Sequence, residues 1–286
     1  MRHFHVYLLA SFLILLSSCA ENRIHEKKEW ETIFKQNKIQ QGCFMFRDHT
    51  HDAIYYFNKD QALHRYLPAS TFKIFTSLVA LETAVAADEK LVIKWDGIDR
   101  NRPEWNEDLD MREAFKRSAV PYFQELARRI GKDNFKHYLD TVQYGNRNMG
   151  GPIDMFWLND SLQISADEQL GMMKRLYFEE LPFSERSQRI VRSIILREET
   201  PKYKLYYKTG TGNFKDSTVY WVVGFVEKME QVKEHEKSMN KADFRNYPYM
   251  FAQNFVTHKN DTSQNWYDQR IKNVHDILKD MHVIEP

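Results

Sequence analysis

The sequence is poor in the residues that build small or irregular scaffolds. Only two of its 286 residues are Cys, which excludes a disulfide framework and a Cys-rich zinc site. Ten Gly and eight Pro give no collagen-like or linker-rich character. An excess of one charge sign is also lacking. With 41 Lys and Arg against 40 Asp and Glu, the formal net charge is +1, and no strong field draws in nucleic acid. No apolar run is long enough to span a bilayer; the run at 6–16 is broken by Ser11 and has only the length of a signal core. What is present is a globular composition, 42% apolar and 14% aromatic, sufficient for a sizeable core.

The run at 6–16 follows Arg2 and ends in Leu16-Ser17-Ser18-Cys19-Ala20. Small residues before a Cys resemble a bacterial lipoprotein signal over 1–18, with Cys19 lipidated as the new N-terminus. The alternative is an ordinary secretory signal cleaved nearby. Both predict export to the periplasm, with membrane contact only through such an anchor. Residues 19–286 are then expected to form one domain, monomeric or a homodimer. Cys43, in the strand-like run 42–46, is expected to be a small buried core residue rather than a nucleophile.

No internal repeat is present. Residues 21–38 read as a polar surface helix, and 42–48 and 53–58 as two strands around the turn His49-Thr50-His51-Asp52. The two His of that turn have no third metal ligand nearby in sequence. Residues 71–86 are apolar almost all round, which predicts a buried helix. Helices follow at 110–116, 121–130 and 133–142, with Pro121 at a first helical position and Gly131 at a stop. Ser165 and Glu168 form a capping box, and 184–196 makes a further helix. Residues 203–208, 219–226 and 249–256 read as strands, with the charged stretch 227–246 as a solvated connection, and 271–281 as a last helix. Strands, a helical middle, strands and a closing helix predict an α+β fold with one antiparallel sheet and an all-helical subdomain at roughly 87–163.

The sharpest chemical feature is Ser70-Thr71-Phe72-Lys73 at the head of the buried helix. Ser70 and Lys73 are three apart and share a helix face. A serine nucleophile needs an adjacent base, and a lysine made neutral by apolar surroundings can be one. The same spacing recurs in Ser238-Met239-Asn240-Lys241, but there no apolar helix stands behind it. Lys208-Thr209-Gly210 ends one expected strand, where a lysine and a threonine can receive a carboxylate and a glycine permits close approach. Ser118-Ala119-Val120 lies between two helices, where an ordinary cap for the helix of Pro121 is the plainer reading.

S-x-x-K, S-x-V and K-T-G in this order resemble the penicillin-recognising serine enzymes. Tyr144-Gly145-Asn146, Phe156-Trp157-Leu158, Lys94-Trp95-Asp96-Gly97 and Gly224-Phe225-Val226-Glu227 narrow the resemblance to class D (oxacillinase-type) serine β-lactamases, from about Gly42 to the C-terminus. The resemblance implies a β-lactamase/transpeptidase-like fold and hydrolysis of small-molecule β-lactams. Ser70 would form the acyl-enzyme. Lys73 would carry CO2 as a covalent carbamate (N6-carboxylysine) and serve as general base, with no dissociable cofactor and no metal. Trp157 would donate to the carbamate, and Val120, Leu158 and Phe72 would wall it. Ser118 would pass a proton to the leaving nitrogen, held by Lys208, while Thr209 and Gly210 receive substrate. The backbone N–H groups of Ser70 and Thr211 would form the oxyanion hole.

Thr211 departs from the family, which usually has an aromatic after K-T-G, so substrate preference turns on it. An arginine on the last helix should bind the substrate carboxylate: Arg270 fits, with Arg245 as the fallback. Tyr144 and Asn146 are expected in the site floor, Asn146 in a structural role. The alternatives to hydrolysis are a β-lactam sensor or a D,D-transpeptidase-like protein that deacylates slowly. Val120 and Trp157 speak against the transpeptidase, and the lack of transmembrane helices and of an H-E-x-x-H motif against the sensor.

Overall fold

The computed structural model describes residues 23–231 and 244–285. The leader, Cys19 and the second S-x-x-K lie outside these residues. Seven strands form one sheet in the order β1-β3-β2-β7-β6-β5-β4: β1 (Ile24–Glu26), β2 (Gln41–Asp48), β3 (Ala53–Phe57), β4 (Leu196–Glu199), β5 (Tyr203–Phe214), β6 (Ser217–Gln231) and β7 (Phe244–His258). Every pairing is antiparallel except β1 with β3.

Both faces of this sheet are covered, and strand alternation divides the core in two. Phe44, Phe46, Val222, Phe251 and Phe255 face a layer made by α1 (Trp30–Gln36) and the C-terminal helix, with Trp30, Phe34, Val274 and Ile277. Cys43, Met45, Trp221, Val223 and Ala252 face the larger helical layer. That layer contains α2 (Lys59–Leu63), α3 (Lys73–Glu82), α4 (Met111–Lys116), α5 (Val120–Ile130), α6 (Lys132–Val142), α7 (Ala166–Tyr177) and α8 (Glu185–Ile195); the C-terminal helix is α9 (Trp266–Asp280). Double coverage explains why β6 is an unbroken apolar run rather than an alternating one.

Several expectations are corrected. The polar segment before residue 38 is not only a surface helix: it contributes β1, and Trp30 and Phe34 are buried. The strand of Tyr203 does not stop at Lys208 but runs on to Phe214, so Lys208-Thr209-Gly210 lies within a strand. Both ends of the expected connection after Glu227 are strand as well, with Glu230 opposite Arg245. The cap of α5 is Ala119, not Ser118, and Pro121 is its second residue. The capping box of Ser165 and Glu168 is present, with both reciprocal bonds.

β4 is short, and its pairing with β5 ends at Leu196 opposite Tyr206. Among the described residues, the outer rim of β5 beyond Tyr206 has no strand partner. The site is built along that rim.

Candidate active site

Ser70 lies in a single 3-10 turn, Ala69–Phe72, directly before α3. Ala69 adopts φ 47°, a left-handed conformation that costs an alanine roughly 1–2 kcal/mol. The surroundings impose it. Ala69 N–H donates to the Trp157 carbonyl at 3.2 Å, and Trp221 Nε1 donates to the Leu67 carbonyl at 3.0 Å. The Pro68 carbonyl accepts from Thr71 N–H at 3.1 Å and from Thr71 Oγ1 at 2.7 Å. Gln169 Nε2 then donates to Thr71 Oγ1 at 2.9 Å. A nucleophile held on so constrained a turn is fixed in advance of reaction.

Lys73 opens α3, and its Nζ lies 2.7 Å from Ser70 Oγ. The side chain is 1% exposed, and burial alone pulls the ammonium down to about 7. The aromatic over Nζ is Phe123 on α5, at 5.3 Å from the ring centroid, a neighbour that the motifs did not reveal. Its signal was its place one helical turn beyond Val120. Val120 and Leu158 are half-buried, and Phe72 stacks on Trp157 at 5.5 Å.

Strand alternation assigns the residues of β5. Lys208 points into the helical layer, where Nζ donates to Ser118 Oγ at 3.0 Å and to the Thr209 carbonyl at 3.1 Å. Ser118 has φ 55°, and its hydroxyl faces this lysine rather than capping α5. Burial first, then the charges of Lys73, Arg197 and Arg270, push the Lys208 ammonium well below the ordinary lysine range. Gly210 points to the same side. A Cβ there would come within 2.8 Å of the Pro68 carbonyl and 3.1 Å of Thr71 Cγ2, so only glycine lets β5 approach the Ser70 turn this closely.

Thr211 points to the other side, towards α9. Arg270 Nη1 donates to Thr211 Oγ1 at 2.7 Å and to the Gly210 carbonyl at 2.9 Å. The hydroxyl that replaces the usual aromatic therefore engages the arginine instead of forming a wall. Arg270 is buried, has no carboxylate within ion-pair distance among the described residues, and is drawn down to about 10 by burial. Its Nε is buried without a partner. The fallback is removed by register: Arg245 lies opposite Glu230, whereas Gly210 lies opposite Trp221, which is opposite Asn254. Nine residues of strand, roughly 30 Å, separate Arg245 from that row.

Trp157 is 1% exposed, and its indole Nε1 is buried without an acceptor. An unsatisfied buried donor costs about 1–3 kcal/mol, so it needs an account. Tyr144 packs on Phe72 and Phe75 under the turn, with burial pushing its phenol up. Asn146 pins the loop before α7: Nδ2 donates to the Ser161 carbonyl at 2.8 Å, and Oδ1 accepts from Gln163 N–H at 3.0 Å. His51 pairs with Asp48 at 2.7 Å and His49 packs on Phe178, both away from the site. Burial pushes the Cys43 thiol up to about 12, the behaviour of an inert core residue.

This arrangement can make an ester on Ser70 and protonate a leaving group through Ser118. Comparison with known proteins agrees. The profile of the penicillin-binding protein transpeptidase domain matches residues 28–233. The chain is 39% identical over 230 residues to the β-lactamase OXA-5 of Pseudomonas aeruginosa, covering 78% of this chain and 86% of that one. It is 38% identical over 222 residues to the β-lactamase OXA-48 of Klebsiella pneumoniae, covering 78% and 83%. The crystal structure of a class D β-lactamase from Sebaldella termitidis superposes with a TM-score of 0.81 at 32% identity, over 92% of this chain and 99% of that one. With the motifs, the two-faced sheet and the serine–lysine pair in agreement, the chain belongs to the class D β-lactamase family.

Proposed function

We propose that this protein hydrolyses β-lactam antibiotics and so confers resistance, with Ser70 as nucleophile. The observation that carries the reading is the Ser70–Lys73 contact of 2.7 Å, made by a lysine whose burial pulls its ammonium down to about 7 and so favours the neutral amine. Only a neutral amine reacts with CO2, and the unpartnered Trp157 N–H supplies a donor suited to an added oxygen. A carbamate on Lys73 fits these residues and, when present, supplies a general base for acylation and deacylation.

The chain's own groups do the rest. Ser70 Oγ bonds to the lactam carbonyl carbon while the backbone N–H groups of Ser70 and Thr211 receive the oxyanion. The ring C–N bond breaks as Ser118 gives its proton to the nitrogen, oriented by Lys208 at 3.0 Å. Lys208, Thr209 and Arg270 hold the substrate carboxylate. Val120 and Leu158 limit access to Lys73. Water then cleaves the ester and restores Ser70. Export through the leader 1–18, with a lipid on Cys19, would put this activity in the periplasm.

The test is turnover of a chromogenic cephalosporin by the purified protein, with and without bicarbonate, beside Lys73→Ala. Many turnovers that need Lys73 and rise with bicarbonate are expected. A single burst with a lasting acyl-enzyme would instead favour a β-lactam sensor or a transpeptidase-like protein.

A further inference from the structure

We propose that Arg197 is a positioning residue for Lys208: a β-bulge turns its fixed charge onto the aromatic ring that also carries the Lys208 ammonium, and that charge governs how Lys208 serves Ser118. The inference rests on the proposed function and deepens it.

The geometry begins in β4. Leu196 lies opposite Tyr206 and Glu198 opposite Leu205, so Arg197 is the extra residue of a bulge, with no partner in the ladder. Bulges re-aim side chains and recur beside active sites. Here the Arg197 guanidinium comes to 5.4 Å from the Phe115 ring centroid, and Lys208 Nζ lies 5.5 Å from the same centroid. Phe115 is fully buried on α4, so one apolar ring collects two cations. Among the described residues, Arg197 donates only to the main-chain carbonyls of Ile194 and Leu196, at 3.4 and 3.3 Å. Among the described residues it has no carboxylate within ion-pair distance.

The groups around Lys208 leave this charge uncompensated. Lys73 faces it from α3, Arg270 from α9 and Arg197 from β4. Ser118 and the Thr209 carbonyl supply only neutral partners. Carboxylates on the adjoining elements are engaged elsewhere: Glu113 with Arg117, Glu198 with His275, Glu227 with Tyr206 and Arg192, and Asp268 with Asn265. Ser118 must regain a proton each time it gives one to a leaving nitrogen. A neighbouring lysine that holds its proton loosely can return it, and the same lysine, when protonated, holds the substrate carboxylate.

The test is the pH profile of kcat/KM at fixed bicarbonate, with a chromogenic cephalosporin, for the wild type, Arg197→Gln, Arg197→Met and Arg197→Lys. Removing a nearby positive charge should move the alkaline flank up by about half to one pH unit, a three- to tenfold gain on that flank relative to each variant's own optimum. The Gln and Met variants should both show this, Met retaining the apolar cover on Phe115, while Lys should keep the wild-type flank. An unmoved flank in the Gln and Met proteins, with wild-type thermal unfolding, overturns the role of Arg197 alone. An equal movement in the Lys variant overturns it too, because charge would not be the cause. A wild-type protein without turnover removes the β-lactamase reading and this one with it.

Discussion

Gly210→Ala isolates what the close approach of β5 does for the nucleophile. The new Cβ would meet the Pro68 carbonyl at 2.8 Å, Thr71 Cγ2 at 3.1 Å and Thr71 N at 3.3 Å. An ordinary carbon–oxygen contact needs roughly half an ångström more, and two of the three neighbours are backbone atoms that cannot rotate away. The Pro68 carbonyl is also the acceptor that closes the Ser70 turn, through Thr71 N–H and Oγ1. Moving it moves Ser70 relative to Lys73 and Ser118. Displacements of 1 Å at a reacting group cost about a hundredfold, so half that distance should cost roughly tenfold in kcat/KM. Overpacking of this kind also destabilises by about 1–3 kcal/mol. Steady-state hydrolysis of a chromogenic cephalosporin, stopped-flow acylation and thermal unfolding read the two effects separately. Gly224→Ala is the control, because its Cβ would strike the Tyr206 carbonyl at 2.0 Å in the sheet interior. That variant should lose stability first. A Gly210→Ala enzyme with acylation within twofold of wild type and an unchanged unfolding temperature would refute the argument that this contact positions Ser70.

Three further outcomes are expected. Trp157→Ala should slow deacylation at least tenfold more than acylation, since it removes the unpartnered N–H proposed to hold the carbamate; equal losses in stopped-flow acylation and deacylation would contradict this. Lys73→Met should abolish turnover yet raise thermal stability in bicarbonate-free buffer. The native amine titrates at about 7 against an ordinary 10.5, so its burial costs on the order of a few kcal/mol below pH 7 and fades as pH rises towards 10.5. The gap in unfolding temperature should therefore be wider at pH 6 than at pH 9.5, and a constant gap would count against a buried charge. Finally, Cys43 should resist alkylation in the native state and react only as fast as the protein unfolds; labelling at the rate of a free thiol would show that the strand is not closed over it.

What the sequence disclosed followed the range of the physical signal. The Ser165–Glu168 box and the Ser70–Lys73 pair are local, three residues apart on helical turns, and both formed as read. The buried helix was legible because α3 is apolar almost all round. β1 and β4 were missed because they are edge strands of three and four residues with exposed or half-buried, mostly polar side chains, where pairing is set by the neighbouring strand. β5 was cut short because glycine reads as punctuation, whereas Gly210 continues the strand and serves to admit the Ser70 turn. Arg270 and Arg245 could be told apart only by sheet register, a long-range property. The missing partner of Trp157 Nε1 and the arginine hold on Thr211 depend on tertiary packing that no spacing encodes, whereas the Phe123 ring over Lys73 had a local signal, its place one turn beyond Val120.

The rim of β5 beyond Tyr206, unpaired among the described residues, has a consequence for how a ligand can be held. An open strand edge ordinarily invites pairing with another chain, and proteins blunt such edges with charge or cover them. Here the rim is bordered by the Ser70 turn, which approaches Gly210 closely, and by buried Lys208. A narrow amide set against such an edge can hydrogen-bond it as a short added segment would. The same edge that is a liability for association then orients a substrate by its main-chain-like atoms, largely independently of the groups it carries elsewhere.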